Sequence, residues 1–210
     1  MTEQQPWTDA PLVALDLEGT GAQDRENEAI LEIAAVPLAG GLPAMAQAYE
    51  TLINPGRPVP RRPWISPGLT DAVLAQAPSP GVVDPDLATR LEGRYLVGHN
   101  VGVDWRLLHR RFPDVHPAGM IDTLRLAKRT GATSRSLSAL VEDYDLTGRV
   151  SELAPDGRPH RALWDTVAAA LLLKALVTEQ WSSPPSLASL LASAGERFGR
   201  HDDCEQQTLL

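Results

Sequence analysis

One short run constrains this chain more than any other: Leu-Val-Ala-Leu-Asp-Leu at 12–17, followed by Glu18 and closed by Gly19 and Gly21. A brief apolar run stopped by glycines reads as a buried strand. Side chains alternate along a strand, so Val13, Leu15 and Leu17 share one face and Ala14, Asp16 and Glu18 the other. A strand this apolar belongs in a sheet covered on both faces. Two carboxylates then emerge side by side from a mostly buried element. Ionised, they repel, and each pays several kcal/mol of desolvation. Two solutions are open. A divalent cation with oxygen ligands compensates the pair, or the strand ends in water beside the Gly19 turn.

The remaining pattern supplies the layers. Ala29–Leu38 reads as a second strand, ended by Pro37 and Gly40-Gly41, and Met45–Ile53 as a third, stopped by Asn54-Pro55-Gly56. A Pro- and Arg-rich loop follows, then short helical pieces at Thr70–Gln76 and Asp86–Glu92. Arg94–Val97 is a further buried strand. Helices are expected over Asp104–Phe112, Asp122–Arg129, Ser136–Tyr144 and, most strongly, the breaker-free Arg161–Glu179. Strands first and helices later, with one strand between helices, predict an α/β layer fold with a mixed sheet. Ser182-Ser183-Pro184-Pro185 reads as a linker to a short amphipathic piece, Leu187–Leu191, and then a polar tail.

Charge narrows the partners. The chain has 210 residues, with 19 Lys plus Arg against 27 Asp plus Glu, a net charge of −8. That argues against coating long nucleic acid through phosphate neutralisation and leaves room for a protein that handles a strand end. Between Trp105 and Arg135 seven bases face two acids. This stretch is either an anion-binding surface or a set of solvated helix faces. The single Cys204 excludes an intrachain disulfide and a Cys/His zinc framework. The first residues carry no basic and apolar leader pattern, and the longest apolar run, Val167–Leu173, is far short of the ~20 residues of a membrane span. A soluble, cytoplasmic protein with no membrane partner is expected.

Other chemistry-bearing residues stand out by position. Asp165 shares the apolar stripe of the last long helix with Ala168, Ala169, Leu172 and Leu176. It is either a buried acid needing a partner or a first-turn Asp facing the helix dipole. His160 sits on the Gly/Pro-bearing loop just before it, where a neutral imidazole can accept a proton from water. Asp104 follows Gly98-His99-Asn100 and is either an N-cap or a ligand at the end of a strand. Asp122 reads as a cap. His99 reads as a hydrogen-bonding ring under the site.

Taken in order, these residues resemble the DEDD-type 3′–5′ exonucleases, the superfamily of the proofreading epsilon subunit of bacterial DNA polymerase III, ribonuclease T and oligoribonuclease. Asp16-Leu17-Glu18-Gly19-Thr20-Gly21 is similar to the D-x-E-x-T-G first motif, and Ala29–Val36, with Glu32-Ile33-Ala34, to the I-x-E-I-A/G-A-V strand after it. Asn54-Pro55, Gly68-Leu69-Thr70 and Ala77-Pro78 follow the N-P, G-I-T and A-P stretch. Gly98-His99-Asn100 with Asp104 resembles the second motif, Asp122-Thr123-Leu124 the segment after it, and His160 with Asp165 the third, H-x4-D, of the His branch. Gly19 stands where a Thr is frequent, and Ser66-Pro67 precede Gly68 where a less constrained pair is usual.

The resemblance implies a ribonuclease H-like three-layer fold, a central mixed sheet of about five strands flanked by helices, with residues 1–180 as exonuclease domain and 181–210 as linker and C-terminal tail. It implies two divalent ions, Mg²⁺ or Mn²⁺. Asp16 would bridge them, Glu18 and Asp165 complete one site, and Asp104 supports the other. His160 would be the general base for water attacking the terminal phosphodiester, releasing a nucleoside 5′-monophosphate. Leu17, Gly19, Thr20, Gly21, His99 and Asn100 would contact the terminal nucleotide, and the partner would be the 3′ end of single-stranded DNA or RNA. Two other readings exist: a binding or adaptor module with lost catalysis, and an endonuclease on the same fold. The intact acids with His160 count against the first, and the H-x4-D spacing against the second. Trp64, Trp105 and Trp164 either stack on bases or sit in the core. Gln206–Leu210 resembles a sliding-clamp-binding peptide of replication and repair proteins. Many relatives are dimers, and nothing in the sequence marks an interface.

Overall fold

The computed structural model describes residues 5–198. Its strands are β1 (Leu12–Gly19), β2 (Ile30–Ala39), β3 (Leu42–Pro43), β4 (Tyr49–Leu52), β5 (Tyr95–Gly98), β6 (Gly119–Asp122) and β7 (Gly195–Glu196). Its helices are α1 (Asp71–Leu74), α2 (Pro80–Leu91), α3 (Val101–Arg111), α4 (Thr123–Thr130), α5 (Leu137–Asp143), α6 (Thr147–Leu153), α7 (Ala162–Gln180) and α8 (Leu187–Ala194). The strands form one mixed sheet in the order β3-β2-β1-β5-β6-β7, with β4 also on β2. β1 runs antiparallel to β2 and parallel to β5, and β5 is parallel to β6.

Helices cover both faces, as the apolar strand requires. Ala14, Val97 and Ile121 pack under α7, α4 and α8 through Leu172, Leu173, Leu126 and Leu190. Val13, Leu15 and Leu96 pack on the other side against α2 and α3 through Leu87, Leu107 and Leu108. Each such leucine, fully buried, contributes roughly 1.5–3 kcal/mol of transfer free energy. β1 is thus the central strand of a three-layer α/β fold. Among the described residues no helix is long and apolar enough to cross a membrane.

Several boundaries differ from the sequence reading. The sheet has seven strands where about five were expected. The two-residue strands β3 and β7 carry no alternation to read, and β6 (Gly-Met-Ile-Asp) is masked by the turn before it and the helix after it. The third extended segment is a 3₁₀ turn over Met45–Gln47 followed by β4. Helix α2 starts at Pro80 and runs through Pro85, not after it. The carbonyl that Pro85 leaves unpaired is that of Gly81, an exposed first-turn residue open to water. The segment placed in the linker and tail is also built in: Leu187, Leu190 and Ala194 are buried in the main cluster, and β7 pairs with β6. The clamp-like peptide at 206–210 lies outside the described residues.

Candidate active site

The site sits where β1 ends. Asp16 and Glu18 point to the α7 side, with Ala34 and Glu32 of β2 directly opposite them. The register slips between Glu18 and Gly19, a bulge after which pairing resumes at Gly19 with Ile30. Space at Gly19 is tight: a Cβ would stand 2.9 Å from Leu107 Cδ2 and 3.0 Å from the Ala29 carbonyl, so a larger residue needs both to shift.

Asp104 arrives from the opposite layer. The N-cap reading fails, because α3 begins three residues earlier and its cap is Asn100, held at φ 64° by its N–H donating to Asp122 Oδ1 at 2.8 Å. Asp104 is therefore a helical residue, 8% exposed, with its carboxylate hydrogen-bonded by the Leu17 backbone. Asp122 is a cap, as read: Oδ1 also accepts from Leu124 N at 2.9 Å.

Asp165 lies in the first turn of α7, and its Oδ2 accepts from the His160 N–H at 3.1 Å. Both readings of Asp165 meet here, a first-turn acid on a stripe of buried residues. His160 itself is exposed and left-handed, at φ 65°. Ligand atoms of Glu18, His160 and Asp165 all lie within 4.8 Å of one another. Asp16 and Asp104 couple to that cluster through their charges.

The electrostatics are those of an uncompensated cage. Burial, then repulsion from Asp104, Asp165 and Glu18, pushes Asp16 well above the usual carboxylate range. Burial and the charges of Asp165, Glu32 and Asp104 lift Glu18 to about 8. Burial lifts Asp104 to about 8 against the backbone hydrogen bonds it accepts, with Asp165 adding repulsion. Burial lifts Asp165 to about 6, opposed by His160. Four hard oxygen donors that cannot all ionise without help fit a divalent cation. Among the described residues no thiolate or purely nitrogen ligand set accompanies them.

The expected nucleotide-contact residues divide. Leu17 and Gly19 line the partly exposed end of β1. Thr20 is buried, and its hydroxyl accepts from Ala29 N at 3.0 Å, so it fastens the turn. Gly21, at φ +89°, leaves space that a Cβ would fill 2.5 Å from Trp64 Nε1. His99 has both ring nitrogens engaged, Nδ1 with Thr123 Oγ1 at 2.9 Å and Nε2–H on the Arg135 carbonyl at 2.8 Å. It backs the Asn100 turn from below.

Of the tryptophans, Trp105 and Trp164 are core. Trp64 is 46% exposed, and its indole N–H donates to the Thr20 carbonyl at 3.2 Å. The Arg62 guanidinium stands 5.6 Å from its ring centroid. The basic stretch is largely consumed internally: Arg106 and Arg110 clasp the buried Glu28, Arg111 donates to the Glu28 and Glu26 carbonyls, and Arg125 pairs with Glu196. Two further residues escaped the sequence reading, Glu32 and Arg161. An acid inside the apolar run Ile-Leu-Glu-Ile-Ala-Ala-Val is the same signal as Asp16, and it served there only as part of a resemblance.

Comparison with known proteins identifies the family. Residues 13–173 match the exonuclease family model. A DNA polymerase III subunit epsilon-like protein of Rhodobacter capsulatus is 32% identical over 172 residues, 80% of this chain and 24% of its own. The DNA polymerase III subunit epsilon of Aquifex aeolicus is 28% identical over 180 residues, 82% of this chain and 83% of its own. The chain thus spans under two thirds of the Rhodobacter relative and most of the Aquifex one. Among solved structures, Exonuclease X in complex with 5′ overhanging duplex DNA superposes with a TM-score of 0.60 at 28% identity, over 85% of this chain and 98% of that one. With the family model matching residues 13–173, a span that includes every acid from Asp16 to Asp165, the chain belongs to the exonuclease family of the DEDD superfamily.

Proposed function

We propose that this protein is a two-metal 3′–5′ exonuclease that releases nucleoside 5′-monophosphates from the 3′ end of single-stranded nucleic acid, with DNA as the substrate the names of its relatives favour. One observation carries the reading: four acids from β1, α3 and α7 converge with His160 at one strand end, in an environment that opposes their ionisation.

Asp16, Glu18, Asp104 and Asp165 would hold the ions. When bound, two divalent ions stabilise the entering and leaving oxygens and lower the pKa of water. His160 takes the proton from the attacking water at a ring nitrogen, from a loop exposed enough to admit it. Asp165 holds that loop by accepting from the His160 N–H. Gly19 and Gly21 let the backbone approach the terminal nucleotide. Trp64, pinned by its N–H and otherwise open, offers a face for a base, with Arg62 beside it for phosphate.

A time course on 5′-labelled single strands with Mn²⁺ tests the reading. A ladder shrinking from the 3′ end supports it. Binding with no cleavage favours an adaptor, and internal cuts favour an endonuclease. Either result overturns it.

A further inference from the structure

A fifth acid lies beside the cage and takes no part in the mechanism above. Glu32 is fully buried on β2, directly opposite Glu18 in the strand register. Like charges placed opposite one another destabilise a sheet, and a buried unpaired carboxylate is worse. Arg161 answers both. Its Nε donates to Glu32 Oε1 and Oε2 at 3.0 and 2.8 Å, and its Nη2 to Oε1 at 2.6 Å. The Ala162 N–H adds a contact to Oε2 at 3.4 Å.

The position of Arg161 makes this more than a buried ion pair. It is the residue after His160 and the N-cap of α7, yet its side chain does no capping. Its carbonyl instead accepts from Asp165 N at 3.0 Å. One residue therefore ties the sheet, the His160 loop and the first turn bearing Asp165. His160 needs such a tie, because a non-glycine residue at φ 65° is strained and persists only when its surroundings fix it. Ser66 Oγ donates to the His160 carbonyl, and Arg158 Nη2 to the Pro67 carbonyl at 2.6 Å, so the loop is held from outside as well.

We infer that the Glu32–Arg161 pair is a positioning device. By occupying both oxygens of Glu32, Arg161 keeps a fifth carboxylate out of the metal-holding set, and the fork fixes His160 and Asp165 on the sheet. Neither residue touches the substrate. The inference rests on the proposed metal reading.

The test replaces the pair by apolar residues, Glu32→Met with Arg161→Met, which removes both charges together and leaves neither buried alone. Three quantities are measured: the melting temperature of the metal-free protein, Mn²⁺ affinity by calorimetry, and kcat with KM on labelled single strands. The expected result is a melting temperature close to that of the parent protein, unchanged KM, and a loss of about 10- to 100-fold in kcat and in Mn²⁺ affinity. A variant equal to the parent in all three overturns the inference and leaves the metal reading intact. A parent protein that takes up no Mn²⁺ overturns both. If the double variant does not fold, Arg161→Lys keeps the charge and loses the fork. That variant is expected to fold with kcat reduced about tenfold, and full kcat overturns the inference.

Discussion

Stripped of divalent ions, the protein should lose stability as the pH rises through the neutral range. In the unfolded chain these carboxyls titrate near their ordinary values of 3.8 and 4.5; in the fold Glu18 and Asp104 reach about 8 and Asp165 about 6. Raised folded values mean that the folded state holds protons the unfolded state has released. The stabilisation is complete below about pH 4 and is lost as the pH climbs through 6 and 8. Each such group contributes about 1.4 kcal/mol per pH unit between its two values. Glu18 keeps some contact with water, which lowers its share. From pH 5 to pH 7 the pair Glu18 and Asp104, two groups over two pH units with the share of Glu18 lowered, then gives a fall on the order of 5 kcal/mol, against a total of roughly 5–15 for a domain. That is a drop of about 10–20 °C in melting temperature. Thermal melts by circular dichroism in chelator at pH 5, 6, 7 and 8 measure it directly. Saturating Mn²⁺ should reverse the slope, because the ions bind the ionised ligands. A metal-free melting temperature that is flat or rises from pH 5 to 7 would refute the reasoning.

Three further outcomes are expected. Asp16→Ala and Asp165→Ala abolish cleavage with the fold retained, and because each removes one repelling carboxylate, both shrink the pH-dependent loss of the metal-free protein; full activity in either variant contradicts the assignment. His160→Ala slows cleavage about 10²–10⁴-fold with Mn²⁺ affinity changed far less, and single-turnover rates beside calorimetry read both. Trp64→Ala raises KM on single strands with kcat near that of the parent, as loss of about 1–3 kcal/mol of stacking requires, and Trp64→Phe restores most of it; an unchanged KM removes Trp64 from the substrate path.

Much of this site was legible before the fold was known, for one physical reason. Acids inside apolar runs are anomalies that a sequence cannot hide. Asp16, Glu18 and Asp165 were marked by that anomaly, and Asp122 by its place before a helix. Asp104 was ambiguous, because an Asp near a helix start looks alike whether it caps or sits in the first turn. The left-handed Asn100 that decides between them has no signature in composition. The basic run from Arg106 to Arg135 suggested a ligand surface. The deciding fact was tertiary: Glu28, distant in sequence, is where Arg106 and Arg110 end. Strand β6 was missed because four residues bounded by a turn and a helix carry no period. Helix α8 was legible only as a short amphipathic piece over Leu187–Leu191, because its Leu187 and Leu190 take their meaning from a core formed by α4 and α7. Glu32 carried the right signal and went unused, since its partner Arg161 lies far along the chain.

The central claim is that four carboxylates, from three separate elements, cage two ions. Anomalous diffraction from crystals soaked in manganese tests it most directly. The account predicts two peaks about 4 Å apart in contact with the carboxylates of Asp16, Glu18, Asp104 and Asp165. Peaks elsewhere, or none among those oxygens at saturating Mn²⁺, would contradict it.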